Sequence, residues 1–203
     1  MSEKRLILFG PGYGDSHILI DQLAKKFTDC DTLVLNYPAR GMFKGITAMA
    51  RGLLPIVEAL NESYDSMVFV GHSMGGLVGR EIYRLGVEEH NVALFDHYIS
   101  IATPHQGTGL AALGSRLPVE RISASARDMM PDSKFMKCIA DSIVPVNTMT
   151  IQAQWDLLLY PASTAQLEGF ENHIVPWTGH ITVVTSARTH RLIRDWISPV
   201  RYY

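Results

Sequence analysis

Short, largely apolar runs recur along the chain, each closed by glycine or proline. Leu6-Ile7-Leu8-Phe9 ends at Gly10-Pro11-Gly12, and Thr32-Leu33-Val34-Leu35-Asn36 ends at Pro38. Met67-Val68-Phe69-Val70 ends at Gly71, and Tyr98-Ile99-Ser100-Ile101-Ala102 ends before Pro104. A run that is apolar on both faces suits a strand buried on both sides of a parallel sheet, whereas half-exposed strands alternate. Val146-Asn147-Thr148-Met149-Thr150-Ile151 and His173-Ile174-Val175-Pro176 supply a fifth and a sixth candidate. Between the runs the period changes to that of a helix. Ile18, Leu19, Leu23 and Phe27 share one helical face, as do Ile46, Met49, Ala50, Leu53, Leu54 and Val57. Pro55 lies inside the second of these stripes, and a helix-interior proline costs about 3 kcal/mol, so a kink or break is expected near Gly52–Pro55. Leu77, Val78, Ile82 and Leu85 form a third stripe; Leu192, Ile193, Trp196 and Ile197 form the last. Alternation of this kind predicts an α/β fold: a doubly wound, mostly parallel sheet of about six strands with helices on both faces. Ligands of such sheets collect beyond the C-terminal ends of the strands.

Composition narrows the class. No Pro/Gly/Ser-rich linker divides the 203 residues and no segment repeats, so residues 1–203 read as a single domain. Residues 103–145 form a small helical insertion between strands, too short for a separate cap domain. An apolar content of 47% supports a sizeable core and excludes disorder. Eighteen basic against twenty acidic residues give a net charge of −2, which offers no basic surface for nucleic acid. No apolar run approaches the ~18 residues of a membrane span. The stretch Leu6–Phe9 is also far shorter than the roughly 7–15 residues of a secretory signal core. Cys30 and Cys138 make no CxxC motif and read as reduced structural thiols. A cytoplasmic, soluble protein is expected.

The chemistry begins at Gly71-His72-Ser73-Met74-Gly75-Gly76, a G-x-S-x-G pattern between a predicted strand and a predicted helix. A serine on a sharp strand-to-helix turn projects its hydroxyl above the sheet, while the flanking glycines let strand and helix pass closely. The free N–H groups and dipole of the following helix favour an oxyanion there. Ser73 is the candidate nucleophile. The segment Val70–Val78 resembles the nucleophile elbow of α/β-hydrolase lipases and esterases. Thr103-Pro104-His105-Gln106-Gly107-Thr108 is similar to the TPHxGT loop of many lipases in that superfamily, and Met130–Met136 resembles a helical stretch those lipases carry before the acid strand. In size the chain is similar to the compact bacterial lipases that lack a large lid, and the shortness of the 103–145 insertion leads to the expectation of an open or lightly covered site.

A serine needs a base, and the base needs an orienting group. In this fold the chain order is serine, acid, histidine. Of eight histidines, His17, His72, His90, His97 and His105 come too early, His173 opens the sixth run away from the site, and His190 falls inside the last helix. His180, in a loop after the sixth run, remains as the base. No carboxylate occurs between Ala102 and Glu120, so the acid is sought after the fifth strand, where Asp156 stands in Gln154-Trp155-Asp156-Leu157. Glu168 and Glu171 compete but lie deeper in the next connection. The expected oxyanion donors are the backbone N–H groups of Met74 and Tyr13. Tyr13 follows from aligning Pro11-Gly12 with the His-Gly of the family, so Pro11 takes the usual histidine's place. Gly10-Pro11-Gly12-Tyr13-Gly14 fits neither nucleotide-binding glycine pattern, because Asp15 stands where a third glycine is needed. No HExxH or H-x-H suggests a metal, and no cofactor is expected.

These parts describe a serine hydrolase acting on a small-molecule acyl ester. An acyl thioesterase or acyltransferase with the same triad is the alternative enzyme, and a non-catalytic binding protein on the same fold is the alternative of another class. In the insertion, Leu110, Leu113, Leu117, Met129, Met130, Phe135, Met136 and Ile139 read either as an acyl pocket or as core contacts of small helices.

Overall fold

A computed structural model describes residues 4–14, 17–37, 43–109 and 123–198. Six strands form one sheet: β1 (Arg5–Gly10), β2 (Asp31–Val34), β3 (Ser66–His72), β4 (His97–Ile101), β5 (Asn147–Ala153) and β6 (Glu171–Val175). Their spatial order is β2-β1-β3-β4-β5-β6, and every neighbouring pair is parallel. The chain therefore steps outward from β1 to β2, then returns to the other side of β1 and proceeds from β3 to β6. That reversal leaves a crevice between the C-terminal ends of β1 and β3, where open parallel sheets bind their ligands.

Alternate residues of each strand point to opposite faces, and each face has its own core. Leu6, Leu8, Met67, Phe69 and Tyr98 pack with helix α2 (Ile46–Asn61) and helix α3 (Met74–His90). Ile7, Phe9, Val68, Val70, Ile99 and Ile151 pack on the other face with α1 (Ile18–Ala24), α6 (Thr182–Thr185) and α7 (Ala187–Ile197). Two shorter helices, α4 (Ala124–Asp128) and α5 (Lys134–Ala140), lie in the connection from β4 to β5. Among the described residues no helix is long and apolar enough to cross a membrane.

Three local expectations are corrected. Helix α2 runs unbroken through Pro55. Pro55 and Arg51 both face solvent, so the carbonyl deprived of its donor is open to water and the buried stripe on the opposite face holds the helix together. In α1 the buried residues are Ile20, Leu23 and Ala24, with Phe27 just beyond, while Ile18 is exposed at the first turn. The sixth strand begins at Glu171, so His173 lies in mid-strand rather than opening it. Phe135, Met136 and Ile139 belong to the core beneath α2 and α3, whereas Leu110, Leu113 and Leu117 lie outside the described residues.

Candidate active site

Strand β3 is buried along its whole length and runs directly into α3, with Ser73 as the residue between them. Ser73 has φ 52° and ψ −125°, a conformation whose cost of about 1–3 kcal/mol must be met by its surroundings. The glycines show why the turn can be so tight. A Cβ on Gly71 would sit 2.5 Å from Gly76 Cα, one on Gly75 would sit 2.2 Å from the Gly10 carbonyl oxygen, and one on Gly76 would sit 2.1 Å from Thr103 Oγ1. Strand β1, the elbow and the loop after β4 thus meet where no side chain fits. The Ser73 N–H donates to the Ile101 carbonyl, 2.8 Å away, which ties the turn to β4.

His180 and Asp156 arrive from the ends of β6 and β5. His180 Nε2 lies 3.0 Å from Ser73 Oγ, and its Nδ1 lies 2.8 Å from Asp156 Oδ2. A carboxylate accepts from Nδ1–H, which leaves Nε2 bare to accept the serine proton. Asp156 is buried, and its second oxygen, Oδ1, accepts the N–H groups of Leu158 and Leu159, both at 2.9 Å. The acid loop and the histidine loop are joined directly: Trp155 N–H donates to the Thr178 carbonyl and Trp177 N–H to Gln154 Oε1. The structure therefore brings Ser73, Asp156 and His180 together. It does not bring in Glu171, whose carboxylate meets His173 on β6.

Among the other histidines, His72 has a role that its place in the chain order had hidden. Its buried ring donates from Nε2 to the carbonyl of His180, 3.0 Å away. The residue before Ser73 thereby holds the backbone of His180. A bond to a main-chain oxygen 108 positions away leaves no trace in sequence spacing. His105 is also buried. Arg80 Nη1 donates to its Nδ1 at 3.4 Å, so its Nε2 donates to Ser100 Oγ at 2.8 Å. Burial, and secondarily the neighbouring Arg80 guanidinium, hold the His105 imidazole well below its ordinary pKa.

The loop after β1 closes over the elbow. A Cβ on Gly12 would approach His72 Nδ1 to 3.0 Å and the Ser73 Cβ to 3.3 Å, so a side chain here would press directly on the elbow. Tyr13 follows at the mouth, and its hydroxyl shares a 3.0 Å hydrogen bond with Ser123 Oγ at the start of α4. Met74 opens α3, whose first turn presents N–H groups toward the crevice. A cavity of about 430 Å³ opens above Ser73. Gly12, Tyr13, Gly14, His72 and His180 form its polar end, and Pro104, Ala126, Met129, Leu158, Leu159 and Ile181 supply apolar walls. Thr108 braces these walls, since its hydroxyl donates to the Leu158 carbonyl and its N–H to the Met129 carbonyl. Of the described residues named above as an acyl pocket or core contacts, Met129 lines the cavity. Among the described residues no group of three or more His, Cys, Asp or Glu side chains could hold a metal ion.

Comparison with known proteins agrees with this architecture. None of the curated proteins matches the chain. Lipase B of Aspergillus fumigatus superposes with a TM-score of 0.66 at 18% identity over 85% of this chain, which spans only 45% of the fungal lipase. A lipase-esterase related protein from Clostridium acetobutylicum gives 0.65 at 16% identity, covering 97% of this chain and 96% of that one. The RedJ thioesterase of the prodiginine pathway in Streptomyces coelicolor gives 0.58 at 16% identity, covering 95% and 88%. At such identities the likeness concerns the fold. The model of the PGAP1-like alpha/beta domain matches residues 43–155, which include Ser73 and stop one residue short of Asp156. With that match spanning more than half of its length, the chain belongs to the PGAP1-like alpha/beta domain family.

Proposed function

We propose that the chain is a serine hydrolase that cleaves carboxylic esters through an acyl-enzyme on Ser73. One observation carries this reading: the two hydrogen bonds that link Asp156 to His180 and His180 to Ser73 end beneath an apolar-walled cavity. His180 Nε2 takes the proton of Ser73 as Oγ attacks the acyl carbon, and Asp156 holds the imidazole tautomer and stabilises its cation. The backbone N–H groups of Met74 and Tyr13 receive the oxyanion. His180 then gives its proton to the leaving alcohol, and water, deprotonated by the same nitrogen, releases the acid. No step calls on a cofactor or a metal.

The cavity volume of about 430 Å³ falls within the ≈ 300–1,000 Å³ usual for small-molecule sites, and its walls suit a medium acyl chain. The chain is read as one catalytic domain, in which Pro104, Thr108, Ala126 and Met129 from the connection between β4 and β5 contribute to the cavity wall. Two free thiols, Cys30 and Cys138, suit a cytoplasmic setting. Thioester hydrolysis is the second reading, favoured by the likeness to thioesterases; paired oxyester and thioester substrates of equal acyl length separate the two. The decisive experiment is labelling by a fluorophosphonate together with turnover of p-nitrophenyl esters from two to twelve carbons. Wild type is labelled at Ser73 and active, and Ser73→Ala is folded, unlabelled and inactive. Wild-type turnover by Ser73→Ala overturns the mechanism, and absence of labelling in wild type returns the chain to the non-catalytic alternative.

A further inference from the structure

Helix α4 spans only Ala124–Asp128, yet Ala126 within it and Met129 at its end are two of the apolar residues on the cavity wall. A helix this short does not hold itself, so its place is set by the bonds at its two ends. At the C-terminal end, Asp128 Oδ2 accepts the Ile46 N–H at 2.7 Å and so caps α2, whose own first residue, Gly45, has no side chain to do it. Ser133 Oγ donates to the Asp128 carbonyl at 2.5 Å, and the Met129 carbonyl accepts the Thr108 N–H at 2.9 Å. That end is fixed by several bonds, one of them to a carboxylate.

At the N-terminal end, Ser123 Oγ caps α4 by accepting the Ala126 N–H at 3.2 Å, and the same oxygen meets the Tyr13 hydroxyl at 3.0 Å. Tyr13 itself lines the cavity and is nearly half exposed, on the loop that follows β1. One contact between two neutral hydroxyls thus joins two walls of the cavity that come from positions 110 residues apart. A bond between neutral groups is weaker than one to a carboxylate, so α4 parts from Tyr13 before it parts from Ile46. We propose that Tyr13 is a specificity-determining residue: its hydroxyl, bonded to Ser123, holds α4 against the loop after β1 and limits the acyl chain to the closed cavity of about 430 Å³. A longer chain enters only by parting that bond. The assignment of the cavity to an acyl chain in turnover rests on the hydrolase reading; the movement of the wall does not.

The test compares p-nitrophenyl butyrate with p-nitrophenyl laurate. A long chain that parts the bond forfeits it on binding, whereas a short chain leaves it in place, so removing the bond favours the long chain alone. Tyr13→Phe takes away the hydroxyl and keeps the ring. It raises the laurate-to-butyrate ratio of kcat/KM about fivefold, the worth of one neutral hydrogen bond, and the gain lies in KM for the laurate ester. Ser123→Ala raises the ratio at least as far, since it also removes the cap of α4. The double variant goes no further than Ser123→Ala, because both substitutions delete the same bond. A second readout needs no turnover: on the Ser73→Ala background, Tyr13→Phe tightens the binding of laurate about fivefold by calorimetry. The proposal is overturned by a laurate affinity that Tyr13→Phe leaves unmoved or weakens, by an unchanged ratio in an active enzyme, or by a double variant whose effect is the product of the single ones. Tighter laurate binding with Tyr13→Phe, in a protein that a fluorophosphonate does not label at Ser73, leaves the wall as described and sinks the hydrolase reading alone.

Discussion

Around Ser73 every neighbour is fixed by packing. Strand β3 is buried throughout, the first residues of α3 are buried, and Gly71, Gly75 and Gly76 stand against backbone or a buried threonine with no room for a methyl group. Around Asp156 and His180 the backbone leaves the sheet, large apolar side chains stand in water, and position comes from hydrogen bonds: Oδ1 to two amides, Trp155 to Thr178, His72 to the His180 carbonyl. Close packing resists any added volume, whereas a hydrogen-bonded loop tolerates new shapes but not a lost donor or acceptor. Damage to the nucleophile half should therefore appear as lost stability, and damage to the relay half as lost rate in a folded protein.

The sharpest way to test that division is Asp156→Asn. The amide oxygen still accepts from Leu158 and Leu159, and its NH₂ then faces His180 Nδ1. That nitrogen must become the acceptor, which moves the proton to Nε2 and aims it at Ser73. Turnover should fall by about 10⁴, while the urea midpoint stays near wild type. A midpoint that collapses with the rate would show the two halves to be one structural unit. Next in size is Gly75→Ala, where the added methyl meets the Gly10 carbonyl at 2.2 Å and neither backbone can yield cheaply. A loss of at least about 3 kcal/mol is expected, measured by urea unfolding. A stable Gly75→Ala protein would mean that the elbow has more freedom than its packing implies.

The same contrast explains what the sequence disclosed. Three of the strands, β1, β3 and β4, are runs whose apolar character on both faces does mean burial on both, and the elbow needs glycine at fixed offsets from the serine, so both could be read locally. The similar run at residues 32–36 misled, because its strand β2 lies at the sheet edge and is largely exposed. The candidate partners Asp156 and His180 can be reached in the sequence only through chain order and elimination, since nothing in the residues around His180 announces a base. The continuity of α2 through Pro55 was hidden because it depends on which side of the helix meets water. The tie between His72 and His180 runs to a main-chain oxygen, to which sequence is blind. In Leu157-Leu158-Leu159 composition alone does not say which side chain is buried: Leu159 alone is, and Asp156 Oδ1 accepts from the Leu158 and Leu159 amides in a turn that leaves the first two exposed.

The smallest effect concerns charge rather than volume on the packed side. His105 lies in the Thr103–Thr108 loop, enclosed between Ser100 and Arg80, and burial together with that guanidinium keeps its imidazole neutral. In the unfolded chain it titrates near 6.5. A folded state that refuses a proton the unfolded chain accepts is fully stable above that pH and loses stability as pH falls below it. Between pH 7.5 and 5.5 one such group removes about 1.4 kcal/mol. His97 and His190, likewise held down mainly by burial, act in the same sense. They remain in His105→Gln, so the comparison with wild type isolates His105. Urea unfolding at the two pH values should show wild type losing about 1.4 kcal/mol more than the variant. Equal losses would mean that His105 takes up its proton in the folded protein, and that the packed half of the site tolerates a charge where it tolerates no methyl group.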